Sequence, residues 1–212
     1  MLAIFDKSVA KSPDALNAPA NQQALSALKD GFFANHFATL YPGHIENIAV
    51  LKQQYGLNKT ANEGIIVIEA YRTLRDRGPY PPDHVVRDIQ GKFAFMIYDS
   101  SSKATFIASD ADGSVPFFWG TDGEGHLVLA DDVETVKKGC GKSFAPFPKG
   151  RCFFSSSRGL KSYEHPLNEL KAMPRVDSSG QVCGATFSVD MDAKESSGMK
   201  KVGSAANWST NY

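Results

Sequence analysis

An α+β fold is predicted for this chain from two features: the order of its hydrophobic periodicities, and one segment that is apolar on both faces. Up to about Leu74 the apolar side chains recur at helical spacing, whereas after Gly91 they fall into short runs parted by turn-forming residues. Helices early and antiparallel strands late is the α+β order, not the strict alternation of a parallel α/β sheet. The two-faced segment is KFAFMIYD, Lys92–Asp99, which suits a strand held between two layers. With 212 residues, 42% of them hydrophobic, the chain can bury one full core without a second domain.

Taken in order, Leu2, Ala3, Ile4 and Phe5 open the chain as a buried strand. Residues 11–23, KSPDALNAPANQQ, lack periodicity and read as a surface loop. HIENIAVLKQQYG, from His44 to Gly56, places Ile45, Ile48, Ala49 and Tyr55 near helical spacing and stops at Gly56, which predicts a short helix. Thr60-Ala61-Asn62-Glu63 has the form of a capping box, with Thr60 as the cap. The helix it opens carries a stripe of Gly64, Val67, Ile68, Tyr71 and Leu74, and Gly78-Pro79 ends it. Arg72, Arg75 and Arg77 beside Glu69 and Asp76 read as its solvated, salt-bridged face.

From Gly91 onward KFAFMIYD, ATFIAS, VPFFWG, HLVLA, CFFSSS and CGATFSV are strand-like runs. SSSK, DADGS, TDGEG, SSRG and DSSG supply the turns between them. DDVETVKKG interrupts the strands as a short helix, capped by Asp131 and stopped by Gly139. After Asp190 the composition shifts to Lys, Ser, Gly and Asn, so the domain is expected to span 1–190, with 191–212 a mobile tail.

The charges balance, 23 basic against 23 acidic, with no long run of one sign, so neither nucleic acid nor a membrane surface is an expected partner. The opening apolar run is broken at Asp6, too short for a signal peptide or a membrane span, and the protein is expected in the cytoplasm, with the nucleus as a second location. Cys140, Cys152 and Cys183 are odd in number and widely spaced, which predicts reduced, buried thiols. Several motifs fail on spacing. Gly141-Lys142-Ser143 lacks the earlier glycine of a phosphate-binding loop, which would fall at Val136. Asp110-Ala111-Asp112-Gly113 lacks the closing glutamate of a calcium loop. His36, His44, His84, His126 and His165 show no paired spacing, so no metal or other cofactor is expected.

What does carry functional information is a series of segments in fixed order: MLAIF, GHIEN leading to LKQQYG, TANE, IQGKFAFMIYD, DADGSVPFFWG, HLVLADDVETV and FPKG. In that order they resemble the glutaminase domain of asparagine synthetases, over most of residues 1–190. The resemblance implies a class II glutamine amidotransferase fold of the N-terminal-nucleophile type, four layers in the order αββα, with Phe93, Phe95, Ile97 and Phe106 inside. A narrower match comes from QYGL at Gln54–Leu57, RTLRDRGPYP at Arg72–Pro81, FAPFPKG and GSAANWS. These are similar to the plant stem-specific or aluminium-induced proteins marked by YGL and LRDR motifs. That family implies a plant protein linked to stress, hormone or dormancy.

The resemblance also implies where a site would lie, and there the chain departs from it. A working class II amidotransferase has, after Met1, a cysteine whose thiolate attacks the glutamine amide while its own amine acts as base. This chain has Leu2. The oxyanion-hole pair of an Asn side chain and a Gly N–H corresponds to Pro42-Gly43, and the acidic residue that holds the substrate ammonium corresponds to Asn62. Leu2, Pro42, Gly43 and Asn62 thus form a degenerate ligand site, each also readable as plain structure: core, turn, turn and first-turn helix residue. FATLYP runs directly into GHIEN, without the strand-rich stretch, carboxylate-gripping arginine included, that the family carries there. One sheet is then expected to lack strands and expose edges for a partner to cover, which favours a homo-oligomer.

Three functional classes remain open from the sequence. The favoured one is a non-catalytic protein that binds or self-assembles on the amidotransferase scaffold. A second is an amidohydrolase using another nucleophile, for which Cys140, Cys152, Ser8 and Thr60 are the candidates. The third is a sensor of a small amino-acid-like ligand near Gly43 and Asn62.

Overall fold

The computed structural model describes residues 2–17, 38–40, 43–76, 83–150, 152–163, 170–180 and 182–189. The expected tail, 191–212, lies outside them, as do Asp190 and Pro42. The elements are β1 (Leu2–Phe5), a 3-10 turn (Asp14–Leu16), β2 (Ala38–Leu40), β3 (Gly43–Ile45), α1 (Ile48–Gln54), α2 (Glu63–Asp76) and α3 (Asp83–Arg87). The second half comprises β4 (Gly91–Asp99), β5 (Ala104–Ser109), β6 (Phe118–Thr121), β7 (Leu127–Ala130), α4 (Val133–Cys140), β8 (Phe144–Pro146), β9 (Cys152–Ser155), β10 (Gly159–Ser162), β11 (Leu170–Val176) and β12 (Val182–Val189).

One antiparallel sheet has the order β1-β7-β6-β8; a larger one has β10-β9-β5-β4, with β2 and β3 both on the free side of β4. Leu40 faces Met96 and Gly43 faces Phe93, three residues further along both strands, so β2 and β3 keep one register. Beyond them no further strand pairs on that side among the described residues. Gly43 and Gly91 let the backbones meet there. A Cβ on Gly43 would lie 2.3 Å from the Lys92 carbonyl oxygen, and one on Gly91 would lie 2.2 Å from that of His44.

Alternation along β4 explains its two-faced hydrophobicity. Phe93, Phe95 and Ile97 point to the helices, joining Phe106, Phe153, Leu51, Ile66 and Val86 in one buried cluster. Ala94 and Met96 point the other way and meet Trp119, Leu127 and Leu129 of the smaller sheet. A third cluster, of Val128, Ala130, Val136 and Cys140, fills the space between that sheet and α4, with Leu2 and Ile4 packed on it. The layer order is therefore helices α1–α3, large sheet, small sheet, α4: the αββα arrangement expected. All four side chains expected inside are at most 2% exposed. The three free cysteines are buried, also as expected.

Several local expectations need correction. The helix read from His44 begins only at Ile48, because Gly43–Ile45 is drawn into the ladder beside β4 and Ile45 serves the core as a strand residue. The cap of α2 is Asn62, not Thr60: Asn62 Oδ1 accepts from Ile65 N–H at 2.9 Å, while Thr60 N–H donates to Asn58 Oδ1 at 3.1 Å. The buried face of α2 runs through Ile66, Val67, Ala70 and Tyr71, displaced from the stripe read through Gly64 and Ile68. Helix α4 is capped by Asp132, not Asp131. Asp132 accepts from Thr135 N–H at 2.9 Å and from the Thr135 hydroxyl at 2.6 Å. It ends at Gly141, with Gly139 buried inside it.

Strands β8, β10 and β11 and the five-residue α3 carry too few consecutive apolar residues to be read in advance. β11 is largely exposed and contains Pro174. It rests on the body through Arg175, whose guanidinium carbon sits 4.3 Å from the Phe144 ring centre, and through the turn residue Asp177, paired to Lys142 at 2.7 Å.

Candidate functional site

The residues read as a degenerate site fall on different layers. Leu2 lies on the small sheet, its backbone paired to Ala130 and its side chain packed on the cluster under α4. Gly43 opens β3 on the large sheet, opposite Phe93. Asn62 stands at the start of α2, its amide oxygen engaged by Ile65 N–H. Gly43 and Asn62 are linked through their neighbours, since His44 Nδ1 lies 3.0 Å from Glu63 Oε1. Asn47 secures the same segment from behind, donating to Asp88 O at 2.7 Å and accepting from Gln90 N–H at 3.0 Å.

The alternative nucleophiles occupy structural places. Cys140 and Cys152 are buried away from water, which penalises the thiolate, so both thiols are pushed up to about 12. At neutral pH both are protonated and weakly nucleophilic. Cys152 Sγ–H points at Lys149 O, 3.4 Å away. Ser8 donates its N–H to Asp6 at 2.8 Å from an exposed turn, and Thr60 is an exposed turn residue.

Two polar clusters were not anticipated from the sequence. Buried Asp110 accepts from the N–H groups of Phe93 at 2.9 Å, Asp112 at 2.9 Å and Ser114 at 3.1 Å, so the DADGS loop is pinned to β4. His126 sits between two carboxylates, with Nδ1 2.8 Å from Asp122 and Nε2 3.3 Å from Asp6. Partial burial disfavours the charged ring, but the Asp122 hydrogen bond and the charges of Asp122, Asp6 and Glu124 outweigh it and raise His126 above its ordinary value. Hydrogen bonds from Ser8, with the His126 charge behind them, hold Asp6 below the usual carboxylate range. Only the Asp122–His126 spacing was visible in advance, because Asp6 arrives from the far end of the sequence. Among the described residues no group of three or more His, Cys, Asp or Glu side chains is placed to hold a metal ion, and no helix is long and apolar enough to cross a membrane.

Sequence comparison identifies the class and then the family. Asparagine synthetase B [glutamine-hydrolyzing] of Escherichia coli K12 is 29% identical over 126 residues, 58% of this chain and 21% of the enzyme. Asparagine synthetase [glutamine-hydrolyzing] 3 of Arabidopsis thaliana is 30% identical over 101 residues, 47% of this chain and 17% of that protein. The chain is thus related to glutamine amidotransferase-type domains. The model of a family described as aluminium induced protein matches residues 34–189, and the chain belongs to that family. The stem-specific protein TSJT1 of Nicotiana tabacum is 45% identical over 69 residues, 32% of this chain and 46% of the tobacco protein. This chain spans less than half the length of each of these relatives. Among solved structures, the Bacillus subtilis glutamine phosphoribosylpyrophosphate amidotransferase complexed with ADP and GMP matches 62% of the chain and 30% of its own, at 17% identity and a TM-score of 0.47.

Proposed function

We propose that this protein is a non-catalytic, amidotransferase-like domain that acts by binding or self-assembly. The observation carrying the proposal is the side chain on β1: where the related enzymes present a nucleophile, Leu2 packs into the apolar cluster of Val128, Ala130, Val136 and Cys140. The buried, protonated state of Cys140 and Cys152 supports it by disfavouring a replacement thiolate. The outer side of β2 and β3, unpaired among the described residues, supports assembly, because an open ladder edge is a template for another strand. An assay of ammonia release from glutamine tests the proposal. The expected result is no release above the uncatalysed rate, and steady turnover by the purified protein would overturn it.

A further inference from the structure

We infer that a cavity of about 520 Å³ between the DADGS loop, the Pro146–Gly150 segment and the end of β12 binds a small zwitterion of the α-amino-acid type with an apolar side chain. The cavity is a groove open to solvent, with a volume in the range of small-molecule sites, roughly 300–1,000 Å³. The inference is independent of the catalytic state of the protein and concerns a place remote in sequence from Leu2, Gly43 and Asn62.

Three observations define the ligand. Asp112 and Lys149 both line the cavity, and neither forms an ion pair with the other or with any other described residue. Both sit on the same wall. The Lys149 stem lies across Gly113, the residue after Asp112, with Cγ, Cδ and Cε 2.9, 3.3 and 3.2 Å from where a Gly113 Cβ would stand. A carboxylate and an ammonium lining one groove complement the ammonium and carboxylate of a free amino acid, and favour it over a ligand carrying only one of the two charges. Besides the hydroxyls of Thr186 and Ser188, the lining offers Phe147, Pro148, Phe187 and Val189 as an apolar surface for the ligand's side chain.

The backbone that carries both charged residues is also held in place before any ligand arrives. The Asp110 carboxylate takes the N–H groups of Asp112 and Ser114, and Gly150 N–H donates to Ala111 O at 2.9 Å, joining the two loops that carry Asp112 and Lys149. The loop backbone therefore needs little ordering on binding, and the cost that remains is that of fixing the two exposed side chains. Phe147 and Phe187 pack edge-on against Trp119, at 5.0 and 5.6 Å between ring centres, so occupancy above them is reported by the Trp119 indole.

Titration of the full chain with L-phenylalanine, followed by amide and indole chemical shifts, tests the inference. N-acetyl-phenylalanine and phenethylamine, each lacking one charge, serve as controls. Saturable shifts at residues 111–113, 147–150 and 186–189 and at the Trp119 indole are expected. Asp112→Asn and Lys149→Gln should each weaken binding by about tenfold, and both controls should bind correspondingly worse. Absence of saturable shifts up to about 10 mM, far weaker than a functional site requires, would overturn the inference. Equal binding of all three compounds, or affinity unchanged in both variants, would do so as well. Both variants alter exposed side chains, so an unperturbed amide spectrum separates lost binding from lost folding.

Discussion

His44 Nδ1 lies 3.0 Å from Glu63 Oε1, a contact that ties β3, on the large sheet, to the first turn of α2 in the helical layer above it. His44 is the residue after Gly43 and Glu63 the residue after Asn62, so this contact marks where the strand pairing of β3 and the packing of α2 bring two of the proposed site positions into one region. The contact itself is weak, because the His44 side chain is 73% exposed and water competes for both partners.

Neighbouring substitutions at this junction are therefore expected to differ sharply. His44→Ala should cost at most about 1 kcal/mol. Gly43→Ala should cost about 2–4 kcal/mol, because φ is +147° and the added methyl would lie 2.3 Å from Lys92 O and 2.7 Å from the Phe93 Cα. Urea unfolding midpoints of the two variants check the contrast, and equal midpoints would show that the β3–β4 approach is not close.

Much of the fold was legible because its physical signals are local. KFAFMIYD shows both faces of β4 in eight residues, and the turn-forming residues around DADGS and TDGEG mark real reversals. The errors arose where tertiary contacts outweighed local preference. Ile45 satisfies a helical period as well as a strand position, and only pairing with Gly91 decides between them. Asn62 and Thr60 are both competent caps, and the choice depends on where the α2 backbone begins. At the site, the identity of Leu2 was visible but its surroundings were not, since Val128 and Val136 are more than a hundred residues away in sequence. Neither the Asp6–His126–Asp122 cluster nor the cavity beside Asp112 could be assembled from spacing, because each draws on segments distant in sequence.

The His126 cluster sets a pH dependence with a definite sign. Its pKa is raised in the folded state, so its contribution to stability is complete below the ordinary histidine value and is lost as pH rises through the folded one. A neutral ring has one N–H and can serve only one of the carboxylates of Asp6 and Asp122 as a donor. Urea midpoints measured from about pH 5.5 to about pH 8 should fall on the alkaline side for the wild type, and His126→Gln should flatten that fall. A variant with the same pH profile as the wild type would show that another group is responsible.

The three thiols offer a direct check of the buried layers. Cys140, Cys152 and Cys183 are at most 7% exposed, and the first two are held at about 12 by burial. Reaction with an aromatic disulfide reagent at neutral pH should be slow in the native protein and complete on unfolding. Rapid modification of Cys140 or Cys152 without denaturant would reopen the case for a reactive thiol.

Removing an aromatic ring from the helix-facing core is expected to be costly. Phe95 and Phe106 are at most 1% exposed, with ring centres 5.9 Å apart, and Phe106 continues the row to Phe153 at 5.5 Å. Phe106→Ala should destabilise by about 3–5 kcal/mol, while Phe106→Leu should cost much less. Denaturant titration of both variants distinguishes a packed row from a loosely filled layer, for which the two costs would be similar.

Installing the missing thiol should not create a glutaminase. In Leu2→Cys the new side chain would replace one that packs under α4, on the small sheet, whereas Gly43 belongs to the large sheet and Asn62 to the helical layer. On the proposed correspondence with the amidotransferase site, the supporting groups would still be deficient. Proline at position 42 has no side-chain donor for an oxyanion, and one missing donor of that kind costs about a hundred- to a thousand-fold in turnover. Asn62 is neutral, and its amide oxygen already accepts from Ile65 N–H, so it is a poor partner for a substrate ammonium. These defects act on different parts of the substrate, and repairing one leaves the others in place. Ammonia release from glutamine should stay at background for Leu2→Cys even when mass spectrometry shows Met1 removed. Clear turnover by that variant would mean that the site around Gly43 and Asn62 remains competent and that Leu2 alone silences it.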